Sequence, residues 1–386
     1  MTIATQPVRL LQNLNINFDE HDVHAVASAF NKESFSGKSP IIVAYESVIA
    51  RYFGVRHALA CSNGTVALEL ALRGFGFGPG RRVAVPPTAP VMTILPIITA
   101  GCVPVFYDVA PASFAPDMDD LNRLLESGLD AVITVPMWGY PWDMTPVVRF
   151  CKAHNIRLIE DCAHAFATEM NGIKFGAFGD VACFSTHERK LVSTGEGGFC
   201  LTPNDEIYDR MKSWQHHGAA WDQTGGYHLG EHLGSNSKLA PLCAALGISQ
   251  FAKLDTKVAD RRAVAGKVRR RLQSCNGIRE FERFQGAEIN GYALVYWCFD
   301  EVNAQGRAAQ MAQQGIVSDT VRYNYRPLYQ APAFSQFARP CPNAERLIRS
   351  IITIPCHEGL TDNDINHIAT TTSAIFGSTR SSAGAS

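Results

Sequence analysis

Between about positions 57 and 201, short apolar runs recur, each ending in polar residues or glycine and followed by a helix-length interval. The runs cover 57–61, 82–86, 103–107, 131–136, 156–161, 181–185 and 198–201. Strands this short and this rich in Val, Ile and Phe, spaced by helices, predict parallel pairing with helices on both faces of the sheet. The expectation is an α/β fold. Ligands of such sheets collect beyond the carboxyl ends of the strands, so the residues at those ends matter most.

Past the last run, 236–273 reads as helix, in one or two pieces. It contains a basic stretch, Arg261-Arg262 and then Lys267 through Arg271, which is either a solvated helix face or an anion site. A second unit follows, with a strand-like run at 292–297, a helix over 304–314 and a final helix after Leu360. The predicted division is a large domain over 1–255 and a smaller α+β domain over 256–386. The last ten residues, rich in Ser, Gly and Ala, read as a disordered tail.

Composition removes several function classes. With 386 residues, 46% hydrophobic and 18% charged, the chain can bury a sizeable core and is neither disordered nor fibrous. A net charge of -1, without a long basic run, offers no field for nucleic acid, so the partner is expected to be a small molecule. Residues 1–14 lack a basic region followed by an apolar stretch, and no apolar run reaches membrane-spanning length; the expected location is the cytoplasm. The eleven cysteines occur singly, without Cys-x-x-Cys or Cys-x-Cys, which argues against zinc or an iron–sulfur cluster, and no metal is expected.

Three constellations at strand ends carry chemistry. Ser62-Asn63-Gly64-Thr65 follows a strand and opens a helix, where exposed amides and a close-approach glycine make either a phosphate cradle or a plain N-cap. The strand 156–161 ends in Glu160-Asp161, with His164 three residues on. A fixed carboxylate there can keep a pyridine nitrogen protonated; the alternatives are a helix cap for Asp161 and a structural histidine for His164. Third, Lys190 stands in a polar turn between Ser185 and Gly195-Glu196-Gly197-Gly198. An amine desolvated in a cleft loses its proton and can attack an aldehyde such as that of pyridoxal phosphate.

In their order these segments resemble the sugar aminotransferases of the DegT/DnrJ/EryC1/StrS family, fold type I enzymes that depend on pyridoxal 5'-phosphate. The resemblance runs from Ser36-Gly37-Lys38 and Tyr45-Glu46, through Ser62 to Leu68, Glu160 to Ala165, and Lys190 with Thr194 to Gly198, to Gly234-Ser235-Asn236-Ser237-Lys238 and the segments 323–329 and 353–357. It implies that Gly64, Thr65 and Ser185 hold the cofactor phosphate, that Asp161 meets the pyridine nitrogen, and that His164 lies near the ring hydroxyl. Lys190 would be Schiff-base partner and proton shuttle, with pyridoxamine phosphate as the intermediate form. Asn236 would reach the neighbouring subunit's cofactor, so a homodimer with shared sites is implied. The implied reaction moves an amino group from an amino acid, glutamate or glutamine by family analogy, to a ketone on a sugar, nucleotide-sugar or cyclitol in antibiotic or polysaccharide biosynthesis. Related dehydratases and amino-aromatic synthases, and a non-catalytic regulator of the same fold, are the alternatives.

Three departures from the family pattern stand out. Pro90 occupies the slot where an aromatic ring stacks on the cofactor, Thr186-His187-Glu188-Arg189 replaces a less polar approach to Lys190, and Lys238 replaces an arginine. Acceptor specificity is expected in 138–140, 187–189, the His216-His217 loop and 322–325.

Overall fold

The computed structural model describes residues 9–30, 34–221, 224, 226–230 and 232–377; the expected tail from 378 onward lies outside them. Every run of the periodic region forms a strand: β1 (His57–Cys61), β2 (Arg82–Val85), β3 (Val103–Phe106), β4 (Ala131–Thr134), β5 (Arg157–Asp161), β6 (Val181–Ser185) and β7 (Gly198–Thr202). They form one sheet in the order β1-β7-β6-β5-β4-β2-β3. The pairs β2·β3, β2·β4, β4·β5 and β5·β6 are parallel, as helix-length crossovers dictate. Both faces are covered, and β4 and β7 are buried along their whole length.

One strand departs from the parallel expectation. β7 runs antiparallel to both β1 and β6. The link from Thr186 to Gly197 contains no helix and folds back as a turn, with Thr186 N–H bonded to Gly197 O and Thr194 N–H to Thr186 O, both at 2.8 Å. A link without a crossover helix can only reverse the chain. Gly197, at φ 153°, has no room for a side chain, because a Cβ would lie 2.4 Å from Thr186 Oγ1. Beneath this turn Phe184 and Phe199 stack at 4.7 Å, with Phe166 edge-on to Phe184 at 5.0 Å, so the Lys190 segment stands on packed aromatic core.

The expected helix over 236–273 starts later than the pattern suggests. Residues Asn236 and Lys238 are extended and bridge to His216 and Cys61, and the helices are Pro241–Ala252 and Leu254–Leu272. Pro241 sets the boundary, since the residue before a proline is driven out of the α region; Ala240 lies at ψ 142°. The basic stretch is a solvated face only in part: Arg270 and Arg271 are exposed, while the other basic residues are paired. Arg261 is buried against Glu358 at 2.6 Å, Arg262 donates to Ile289 O at 2.8 Å, Lys267 pairs with Asp362 at 3.0 Å and Arg269 with Glu280 at 2.7 Å. The stretch ties the long helix to a second, antiparallel sheet of β8 (Ile278–Glu280), β9 (Leu294–Cys298) and β10 (Ile351–Ile354). Helices Ala304–Gln313 and Asp362–Phe376 cover it, close to their expected positions. All eleven cysteines are free, and all but Cys243 are buried.

Candidate active site

β1, β5 and β6 share a direction, so their carboxyl ends open on one edge of the sheet. A cavity of about 560 Å³ lies there, lined by Gly64, Thr65, Asp161, His164, Ser185 and Lys190 among others. Six of the seven expected site residues therefore meet, from three strand ends. Asn236, the seventh, is exposed, accepts from Lys238 Nζ and does not line this cavity.

The phosphate-cradle segment is set by close packing. Asn63 caps helix Gly64–Gly74 by accepting the Val66 N–H at 2.9 Å, so the cap role falls to Asn63 and Gly64 and Thr65 are first-turn amides without intrahelical acceptors. A Cβ on Gly64 would lie 2.7 Å from Ser185 Cβ, so only glycine lets the helix end reach the end of β6.

Asp161 ends β5 with Oδ2 accepting from Thr93 Oγ1 at 2.6 Å and Oδ1 from Ala163 N–H at 3.2 Å. Burial raises its pKa, opposed by the Thr93 and Ala163 hydrogen bonds and by the Lys190 charge. Glu160 faces the other side of the sheet. Its carboxylate, fully buried, accepts N–H groups from Gly176 (2.9 Å), Phe178 (2.8 Å) and Gly179 (2.8 Å), a structural rather than a chemical role.

His164 stacks on Tyr292, centroids 4.2 Å apart, and its Nδ1 accepts the Trp138 N–H at 3.2 Å. A neutral ring with Nδ1 as acceptor carries its proton on Nε2. Burial and the Lys190 charge hold the histidine pKa well below its ordinary value, so the ring is neutral. Lys190 Nζ lies 5.6 Å from the Tyr292 ring centroid. Desolvation lowers its pKa to about 8, while Asp161 and Asp319 pull it up and Arg189 presses it down. A lysine near its pKa at neutral pH can both accept and release a proton.

Several residues of the site carried little or no sequence signal. Thr93, fully buried behind Asp161, was obscured by the Pro90 departure. Tyr292 reads only as the start of an apolar run, and Asp319, buried at 4% exposure, is brought in by the second unit. Asn290 anchors that unit over the site by donating to His164 O (2.7 Å) and Phe166 O (2.9 Å). Of the polar approach to Lys190, His187 and Arg189 line the cavity, Glu188 faces solvent, and Thr186 is buried against Thr194 at 2.6 Å. Of the expected specificity segments, Trp138 and residues 323–325 line the cavity, whereas Gly139, Tyr140, His216, His217 and Arg322 do not; Arg326, just beyond them, does.

Comparison with known proteins identifies the family. The DegT/DnrJ/EryC1/StrS aminotransferase family profile matches residues 17–373. The chain is 30% identical over 337 residues to the GDP-perosamine synthase of Caulobacter vibrioides, covering 85% of this chain and 88% of that protein. It is 31% identical over 331 residues to the UDP-N-acetyl-3-dehydro-alpha-D-glucosamine 3-aminotransferase of Acidithiobacillus ferrooxidans, covering 85% and 86%. The crystal structure of the aminotransferase TlmJ from Streptoalloteichus hindustanus superposes with a TM-score of 0.86 at 25% identity, over 95% of this chain and 98% of that one. The chain therefore belongs to the DegT/DnrJ/EryC1/StrS aminotransferase family.

Proposed function

We propose that this aminotransferase binds pyridoxal phosphate in the Lys190 cavity and moves an amino group from glutamate or glutamine to a ketone on a sugar carried by a nucleoside diphosphate. One observation carries the reading: a desolvated amine, a buried carboxylate and a helix-end cradle converge on a single cavity at the strand ends. The relatives named above for GDP- and UDP-linked sugars support the nucleotide-linked class of acceptor.

The residues present fit the cofactor. The glycine that brings the Gly64 and Thr65 amides against Ser185 Oγ leaves a cradle suited to a phosphate dianion. Asp161, oriented by Thr93 and Ala163, holds the proton on the pyridine nitrogen, and His164 Nε2 is the donor available to the ring hydroxyl. The bound cofactor supplies an electron sink that makes the donor's α proton removable. Lys190 Nζ would take that proton and return it at the cofactor's C4′ carbon, and would work in the reverse sense in the second half-reaction. Tyr292 and Trp138 fix the His164 ring, and Pro90, with Val91 and Met92, lines the cavity where relatives place an aromatic ring.

Asn236, exposed on this chain, serves the cofactor of a second subunit, which makes the working unit a homodimer. Eleven free cysteines suit a reducing cytoplasm, and among the described residues no helix is long and apolar enough to cross a membrane. The test is to load the protein with pyridoxal phosphate, add amino donors one at a time, and follow the visible spectrum. A donor that converts the spectrum and a nucleotide-linked keto-sugar that restores it support the reading; no response to any donor overturns it.

A further inference from the structure

Of the charged cavity residues that the mechanism leaves unused, Arg189, Glu196, Asp319 and Arg326, Asp319 is the buried one. Asp319 lines the cavity yet is only 4% exposed, and its carboxylate is held from several sides. Oδ2 accepts from Asn13 Nδ2 at 2.8 Å and from Trp138 Nε1 at 3.1 Å, and the Asp319 N–H donates to Thr353 Oγ1 at 2.7 Å. Oδ1 is buried and meets no donor among the described residues. A rigid carboxylate oxygen without a donor costs about 1–3 kcal/mol. Such a cost is retained where a ligand supplies the missing partner.

The surroundings say what that partner is. Arg189, the residue before Lys190, lines the same cavity and acts on the Asp319 charge, and Asp319 in turn acts on Lys190. A carboxylate or phosphate would be repelled by Asp319, and a bare cation would be repelled by Arg189 and Lys190. A hydroxyl satisfies both, donating to Asp319 Oδ1 while accepting from the Arg189 guanidinium. We propose that Asp319 and Arg189 form a hydroxyl-reading pair that selects acceptor sugars with a free hydroxyl beside the carbonyl to be aminated. The inference rests on the aminotransfer reading above. It also accounts for the polar approach to Lys190, since position 189 has to supply a donor aimed past the lysine.

The test is calorimetry on the pyridoxal-phosphate-loaded protein with UDP-glucose and its 2-, 3-, 4- and 6-deoxy analogues, which bind but cannot be aminated. Wild type should bind one analogue about 30-fold more weakly than UDP-glucose. Asp319→Asn, which keeps an oxygen for Trp138 and Asn13, should bind UDP-glucose about 30-fold more weakly and lose nothing further on that analogue. Arg189→Met should show the same pattern. Equal binding of all five by wild type, or the same affinities in Asp319→Asn as in wild type, overturns the proposal. So does a loss of melting temperature or of the cofactor spectrum in Asp319→Asn equal to that in Asp319→Ala, which assigns Asp319 to holding Trp138. If wild type binds none of the five, the GDP and dTDP series follow, and silence across all three overturns it. The donor half-reaction is measured separately: its failure removes the aminotransfer reading, whereas the deoxy pattern alone decides the role of Asp319.

Discussion

Thr93 Oγ1, fully buried, donates a 2.6 Å hydrogen bond to Asp161 Oδ2 behind the cavity wall that Asp161 forms. It offsets part of the burial that would otherwise protonate the carboxylate. Thr93→Val removes that bond without changing side-chain shape and raises the Asp161 pKa further. The expected result is a donor half-reaction slowed about tenfold near neutral pH, the equivalent of about 1.4 kcal/mol. The loss should shrink as pH rises, because the carboxylate deprotonates again. Stopped-flow spectra over pH check this, and a loss independent of pH contradicts it.

Lys190 titrates near pH 8 because desolvation disfavours its ammonium. Below that value the reactive amine is the minor form, so cofactor uptake by the apoprotein should accelerate about tenfold per pH unit and level off above pH 8. Lys190→Ala should abolish the visible band of lysine-bound cofactor while leaving weak binding measurable by dialysis. An unchanged band in that variant would remove Lys190 from the mechanism.

Glu160 accepts three backbone N–H groups with both oxygens fully buried. Glu160→Gln presents only one acceptor oxygen and turns an amide NH₂ toward a backbone donor. Equilibrium denaturation should show a cost of roughly 2–4 kcal/mol with the unfolding slope unchanged. A cost below about 1 kcal/mol would mean that the 176–179 loop rearranges freely.

The buried pair of Arg261 and Glu358, at 2.6 Å, joins the long helix to the segment after β10. Arg261→Met leaves Glu358 buried and unpaired and should cost about 3–5 kcal/mol, most of it regained in Arg261→Met/Glu358→Leu. Although burial raises the Glu358 pKa, the Arg261 charge together with hydrogen bonds from its own backbone N–H and from Asn15 and the Lys257 charge outweighs it, and the folded-state value lies below the ordinary one. The stability it contributes is present above the unfolded pKa and is lost as pH falls through the folded value. Acid titrations should show that slope in wild type and not in the double variant.

Sharing of sites across a dimer has its own signature. Lys190→Ala and Asn236→Ala, each inactive alone, should regain about a quarter of wild-type activity when refolded together in equal amounts, since half the dimers are mixed and each carries one intact site. No recovery, with mixed dimers confirmed by mass, would place Asn236 outside the partner's site.

Much of the fold was legible because it repeats locally. Each run from 57 to 201 became a strand within a residue or two, and the helix-length spacing correctly implied parallel neighbours. The antiparallel direction of β7 fits a mostly parallel sheet but could not be assigned strand by strand, because strand residues look the same either way; the absence of a helix between Ser185 and Gly198 was the available clue. Pro241 likewise marked a helix start that apolar spacing alone overran. The basic stretch could not be read, since charge in a sequence does not show which acids lie opposite, and Glu358, Asp362 and Glu280 are remote from it or beyond a turn.

The sequence by itself determined the family and which candidate residues meet. Gly64-Thr65, Asp161, His164, Ser185 and Lys190 sit at strand ends, and parallel strands joined by crossovers must open those ends on one edge. Only the tertiary structure decided how the residues behave there. Tyr292 reaches His164 and Asp319 faces the cavity because segments remote in sequence pack against the strand ends, with Asn290 donating to His164 O and Phe166 O, and burial at that junction lowers the Lys190 pKa to about 8. Desolvation depends on what lies across the gap, and no local pattern of residues records it.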